Sequence, residues 1–101
     1  MPTKKMQNRK GEDFLKLKDL IENIDVLETN VKDFDKDITD IAYNSKNAKE
    51  GCAFVCIKGF KTDGHEYIDE AIKNGAHLVV VDEFFDTSKI DGKIDYIKTS
   101  N

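Results

Sequence analysis

The sequence predicts an α/β domain, a small mixed β-sheet with flanking helices. Three observations lead there. Ala53-Phe54-Val55-Cys56-Ile57 and Leu78-Val79-Val80-Val81 are near-continuous apolar runs, as expected of strands covered on both faces. Between them, Tyr67, Ile68, Ala71 and Ile72 form a helical stripe. Asp63 and Glu66 stand in front of that stripe with capping-box spacing, and Gly75 behind it suits a helix stop. Strand, helix and strand in this order predict one β-α-β unit with a right-handed crossover.

The other elements follow in chain order. Residues 1–14 are polar and read as a disordered lead-in, which leaves 15–101 as the domain. Leu15, Leu17, Leu20, Ile21 and Ile24 recur at roughly helical spacing and predict a short amphipathic helix over about 17–24. The acidic stretch 25–37 is irregular, with Val26, Leu27, Val31 and Phe34 available for a short edge strand. A strand is expected over 38–43, ended by Asn44-Ser45. Strands over 53–57 and 78–82 enclose the helix at 64–74, and a last strand is expected over about 94–98. The sequence stops three residues later without a terminal helix, which reads as a cut at a domain boundary.

A chain of 101 residues can bury one modest core, and is too short for a nucleotide-binding and a catalytic domain together. With 39% hydrophobic and 36% charged residues it is globular in type. No apolar run approaches the roughly 18 residues of a membrane span. The N-terminus lacks the apolar stretch of a secretory signal, so a cytoplasmic protein without membrane contact is expected. A net charge of −4 argues against a nucleic-acid partner. The charge is uneven: 1–18 carries +4, 19–40 carries −6 and 44–65 carries +2. The segment 44–65 is thus locally basic inside an acidic chain, which fits an anion site as well as a mixed solvated surface.

Several chemistries can be set aside. Cys52 and Cys56, four residues apart on a strand, would stand about 13 Å apart at ~3.3 Å per residue. A disulfide requires Cα atoms within about 7 Å, so free thiols are expected. C-x-x-x-C lacks a second ligand pair, and His65 and His77 are not spaced to supply one, so no metal site is expected. Cys56 lies mid-strand without a paired base, which disfavours a nucleophile. Gly59-x-x-x-x-Gly64 has P-loop glycine spacing, but His65 and Glu66 stand where Lys and Ser/Thr would hold phosphate and Mg²⁺. No catalytic residue is expected in this chain.

What remains is a binding site at the ends of strands. Gly59-Phe60-Lys61-Thr62-Asp63-Gly64 joins a strand to a helix start, a common way to offer backbone N–H groups to an anion. Ser45 reads either as the cap of the turn 46–49 or as a ligand contact where open α/β sheets place their sites. His65, in the first turn of the helix, is open to the same two readings.

The run Ile38-Thr39-Asp40-Ile41-Ala42-Tyr43-Asn44-Ser45-Lys46, then Glu50-Gly51, Phe54-Val55, Lys58-Gly59-Phe60-Lys61-Thr62-Asp63-Gly64-His65 and Ala71-Ile72-x-x-Gly75-Ala76, resembles the N-terminal, UDP-binding domain of the Mur ligases. Among these it is most similar to the UDP-N-acetylmuramyl-tripeptide synthetase (MurE) branch. The resemblance covers about 15–83. Asn44-Ser45-Lys46 replaces the family's D-S-R, Glu50 its usual proline, and Cys52-Ala53-Phe54 its D-L-F. Lys46 keeps the charge of Arg without its bidentate fork.

The resemblance implies a domain that holds the UDP part of UDP-N-acetylmuramoyl-L-Ala-D-Glu through Tyr43, Ser45, Phe60, Lys61 and Thr62, with His65 a further contact. Tyr43 or Phe60 suits stacking on uracil, and Lys61 suits the diphosphate. It further implies ATP and Mg²⁺ in the remaining ligase domains, with no cofactor in this one. Two alternatives stay open: the N-terminal domain of a MurF-type ligase, and a stand-alone module that binds a nucleotide-sugar or a protein without catalysis. A reading frame continuing past Asn101 into a G-x-x-G-K-T/S loop would mark a ligase.

Overall fold

The structure, a computed structural model, describes residues 15–56 and 63–100. The expected lead-in and the glycine-loop residues Phe60, Lys61 and Thr62 lie outside the described residues, as does the last residue expected of the 53–57 strand. The elements in order are β1 (Leu15–Lys16), α1 (Leu17–Leu20), β2 (Val26–Thr29), β3 (Asp37–Ile38), β4 (Ile41–Ala42), β5 (Ala53–Val55), α2 (Ile68–Lys73), β6 (Leu78–Val81) and β7 (Asp95–Thr99). Short 3₁₀ turns lie at Ser45–Asn47, Gly64–Tyr67 and Thr87–Lys89.

Five strands form one mixed sheet in the order β2-β7-β6-β5-β4, and β1 pairs with β3 in a separate antiparallel ribbon. β4, β5, β6 and β7 run parallel, with Ala53 opposite Leu78 and Val79 opposite Tyr96. β2 closes the β7 edge antiparallel. Parallel strands need crossovers, so both faces of the sheet are covered and β5 and β6 are apolar on both. On one face Phe54, Val79, Val81 and Tyr96 pack with Ile68 and Ala71 of α2. On the other, Ala53, Leu78 and Ile97 pack with Leu17 of α1, Val31 and Ile38. The expected α/β class, a small mixed sheet with flanking helices, is the observed one.

Three expectations are corrected. The helix expected over 17–24 is only Leu17–Leu20. The Leu17 N–H donates to the Lys36 carbonyl at 3.0 Å and the Lys18 N–H to that of Phe34 at 2.8 Å, which docks the short helix start against the chain near β3. Further on, Ile24 is 40% exposed and offers no buried stripe to extend the helix. The strand expected over 38–43 is two strands, because the chain changes sheets at Thr39-Asp40. There the Thr39 N–H donates to Gly51 O at 3.0 Å and Asp40 Oδ1 takes the Ile41 N–H at 2.8 Å. The helix expected over 64–74 begins as a 3₁₀ turn, with the Asp63 side chain accepting the His65 N–H.

Helix α2 stops at a glycine for two reasons. Gly75 has φ +112°, and the Ala76 N–H returns to Ala71 O at 3.0 Å while the Gly75 N–H meets Ile72 O at 3.0 Å, a Schellman closure. In addition, a Cβ at Gly75 would lie 2.7 Å from the Glu50 Cα, on backbone that cannot step aside. Gly51, with φ +83°, donates its N–H to Gly75 O at 2.9 Å.

The β2 edge is held by side chains. Asn30 accepts the Tyr96 N–H at 2.8 Å and donates to Ile94 O at 3.1 Å, standing in for one rung of backbone ladder. Glu28 Oε2 takes hydroxyl bonds from Thr87 at 2.6 Å and Tyr96 at 2.5 Å. The Thr87 bond, then the Tyr96 bond, hold the Glu28 carboxyl below its ordinary 4.5, while the same carboxylate pushes the Tyr96 phenol above its ordinary 10.0.

Two outcomes test this account. Gly75→Ala should lower stability by at least ~2 kcal/mol in chemical denaturation, since left-handed φ alone costs roughly 1–2 kcal/mol in an L residue and the backbone collision adds to it. The Glu28 knot gives acid-side pH dependence. A lowered carboxyl pKa contributes stability in full above about 4.5, and this is lost as pH falls through the folded value. A carboxyl-carbon titration should therefore find Glu28 ionising below 4.5, and Glu28→Gln should remove its part of the acid dependence.

Candidate functional site

β4, β5 and β6 are neighbouring parallel strands, so their carboxyl ends lie along one edge of the sheet. The turn after β4 carries Tyr43 to Asn47, the chain after β5 leads to Asp63, and Asp82 follows β6. Open α/β sheets bind ligands along such an edge.

The turn after β4 is built by Asn44. Its side chain accepts the Lys46 N–H at 2.9 Å, and its carbonyl accepts the Asn47 N–H at 2.9 Å. Asn and Asp form such turns readily because a short side-chain oxygen reaches the N–H two residues on. Ser45 is thereby turned inward and is only 5% exposed. Its hydroxyl donates to Glu70 Oε1 at 2.9 Å, and its carbonyl accepts from Asn74 Nδ2 at 3.0 Å. Ser45 is not the local cap that its spacing allowed, since Asn44 fills that place; its hydroxyl instead ties the turn to α2. Tyr43 is 62% exposed and leaves its ring open to a planar partner.

His65 is held at both ring nitrogens and on one ring face. Its side chain is 7% exposed. Nε2 accepts the Asp82 backbone N–H at 3.1 Å. A backbone N–H can only donate, so Nε2 carries no proton and the proton of the neutral ring is on Nδ1, where it bonds Asp63 Oδ1 at 2.5 Å. The ring stacks on Phe85 with centroids 5.0 Å apart. His65 therefore fastens the start of the helical segment to the end of β6.

A cleft of about 410 Å³ opens beside it, lined by His65, Glu66, Ile68, Phe85, Lys89 and Lys93 among others. Tyr43 and Ser45 are not part of its lining, so the structure brings His65 to this cleft and the 43–45 turn to a different flank of α2. Burial first, then the Asp63 and Asp82 carboxylates, push the pKa of the Cys56 thiol up to about 12, so it stays protonated and unreactive at neutral pH. Cys52 and Cys56 are both free and buried. Among the described residues no group of three or more His, Cys, Asp and Glu could hold a metal ion, and no helix is long and apolar enough to cross a membrane.

Glu70 and Asn74 were not anticipated as partners of Ser45. Their i, i+4 spacing on the helix, away from the apolar stripe, is a signal that could have flagged a shared polar face. Nothing local in the sequence pairs that face with a turn 25 residues earlier.

Fold and site edge together define the class: an α/β domain with four parallel strands, one antiparallel edge strand and loops gathered at the carboxyl ends. More particularly, the chain belongs to the Mur ligase family, whose profile, described as "Mur ligase family, catalytic domain", matches residues 37–99. It is 43% identical over 70 residues to a UDP-N-acetylmuramoyl-L-alanyl-D-glutamate--2,6-diaminopimelate ligase of Clostridioides difficile (strain 630), covering 68% of this chain and 14% of that protein. A ligase of the same name from Clostridium tetani (strain Massachusetts / E88) is 35% identical over 89 residues, covering 86% of this chain and 18% of the relative. The chain thus spans less than a fifth of the length of these relatives. In fold it is similar to a crystal structure of MurF from Acinetobacter baumannii, with TM-score 0.67, 20% identity, and coverage of 88% of this chain and 18% of the other. That likeness is one of fold.

If His65 is the fastener described here, His65→Ala should cost about 1–3 kcal/mol in denaturant unfolding, for the lost ring packing and the part-buried Asp82 N–H left without its acceptor. Nitrogen spectra of the wild type at neutral pH should show Nε2 without a proton. A protonated Nε2 would remove this account.

Proposed function

We propose that this domain holds the uridine diphosphate end of UDP-N-acetylmuramoyl-L-Ala-D-Glu for an ATP-dependent, cytoplasmic ligase of peptidoglycan precursor synthesis. One observation carries the reading most: the Tyr43-Asn44-Ser45 turn and the Asp63-Gly64-His65 segment, the two motifs through which the chain resembles the family, follow adjacent parallel strands at the same sheet edge. The relatives' names support the substrate and favour diaminopimelate as the amino acid added by the whole enzyme.

In this reading UDP lies between the 43–45 turn and the loop carrying Phe60, Lys61 and Thr62. Tyr43 offers a face for uracil, and Lys61 with the loop N–H groups faces the diphosphate. His65, with both ring nitrogens committed, serves the site by fastening the Asp63–His65 segment to Asp82. In this reading ATP and Mg²⁺ bind in the remaining ligase domains. What supports this is that His65 and Glu66 occupy the positions of a Walker Lys-Ser/Thr. Acyl transfer belongs to the remaining ligase domains.

An amide-shift titration of the 101-residue chain with UDP-N-acetylmuramoyl-L-Ala-D-Glu tests the placement. Shifts should concentrate at 43–45 and 59–65; shifts confined to the acidic 25–37 stretch would mean that the site is elsewhere. Ser45→Ala should weaken binding several-fold to roughly tenfold, as for one hydrogen bond of about 0.5–1.5 kcal/mol. Incubated with ATP, Mg²⁺, the dipeptide nucleotide and diaminopimelate, the chain should release no phosphate above a heat-inactivated control.

A further inference from the structure

We infer that Glu70 and Asn74 are positioning residues that fix the polarity of Ser45, so that Ser45 meets the nucleoside of the ligand and not its diphosphate. The inference rests on the substrate reading above and says which chemical group the Ser45 hydroxyl recognises.

A serine hydroxyl has one proton to give and lone pairs that accept, and in most sites it rotates to suit its partner. Here the rotor is not free. The Ser45 proton points at Glu70 Oε1, 2.9 Å away, and a carboxylate can only accept. The main chain of Ser45 is fixed as well, by the Asn74 amide on its carbonyl at 3.0 Å. Glu70 lies in α2 and Asn74, its C-cap, four residues on, so both clamps come from one side of that element. With the residue 5% exposed, the hydroxyl has little room for another orientation.

An oxygen whose proton is already given away can only accept. Its partner on the ligand must then be a donor. Uracil N3–H and the ribose hydroxyls are donors; phosphate oxygens of a nucleoside diphosphate are acceptors and carry negative charge. A phosphate oxygen at Ser45 would face lone pairs, with the Glu70 carboxylate directly behind them. The diphosphate is thereby turned away from the Ser45 hydroxyl.

The test uses the whole chain and amide-shift titrations with UDP, N3-methyl-UDP and 2′-deoxy-UDP. Against wild type, one of the two analogues should bind several-fold more weakly than UDP, and that difference should vanish in Ser45→Ala. Glu70→Ala should weaken UDP by a factor of about 3–10, the loss of one oriented hydrogen bond. Glu70→Gln, which keeps an accepting oxygen, should restore most of it. In the Ser45→Ala background, Glu70→Ala should change the dissociation constant no further, a coupling that a residue serving only helix stability would not show. Inorganic pyrophosphate should leave residues 43–45 unshifted. The inference is overturned if both analogues match UDP, if pyrophosphate shifts 43–45, or if Glu70→Ala weakens UDP equally with and without Ser45. Absence of any UDP-induced shift at 43–45 in the wild type overturns the substrate site itself, and the role of Glu70 with it. The first three results leave that site standing.

Discussion

The end of α2 and the start of β5 are stitched together through backbone atoms, and much of the site depends on that stitch. Gly51 gives its N–H to Gly75 O, Thr39 gives its N–H to Gly51 O, and His77 gives its N–H to Cys52 O at 2.9 Å. Three pieces of chain are held together here, and a Cβ would collide with the Glu50 backbone at Gly75 and with the Thr39 side chain at Gly51. Because α2 is fixed here at its C-terminal end, Glu70 and Asn74 present themselves to Ser45. Because Thr39 is fixed here, the chain can leave one sheet and join the other. The turn that carries Tyr43 and Ser45 is thus located by a contact some distance away from it, along both routes.

The sequence made the central unit legible because its signals are local. β5, α2 and β6 each bury an apolar run or stripe, and Gly75 marks a stop that both dihedral and packing demand. The misjudged elements fail where a distant partner decides. Leucine spacing alone extends α1 to residue 24, and only the docking of its first N–H groups on Lys36 and Phe34, with Ile24 left in solvent, shows why it is one turn long. The stretch 38–43, rich in strand formers, gives no sign that its first half pairs with β1 and its second with β5.

The site was legible to a different degree. Ser45 and His65 each stood between a structural and a functional reading, and the geometry gives both of them structural partners: Glu70 and Asn74 for the first, Asp63, Asp82 and Phe85 for the second. For Ser45 the two readings are compatible, since a committed proton leaves accepting lone pairs. No periodicity could foresee these partners, which are set by how turns converge at the end of a sheet. Tyr43 needed no partner to be noticed: its ring is exposed beside an otherwise buried serine.

Asn30 holds the β2 edge through one planar amide that accepts from Tyr96 and donates to Ile94 and to the Asp91 carboxylate at 3.2 Å. That arrangement makes the edge sensitive to chemical ageing. Direct hydrolysis of the Asn30 amide to aspartate exchanges the amide nitrogen for an oxygen and leaves the backbone chain length unchanged. The bond from Tyr96 would survive, while the two former acceptors would each confront a new negative oxygen. Slow hydrolysis at one side chain would therefore loosen the outermost strand without touching the core, and would do so selectively at the β2–β7 seam.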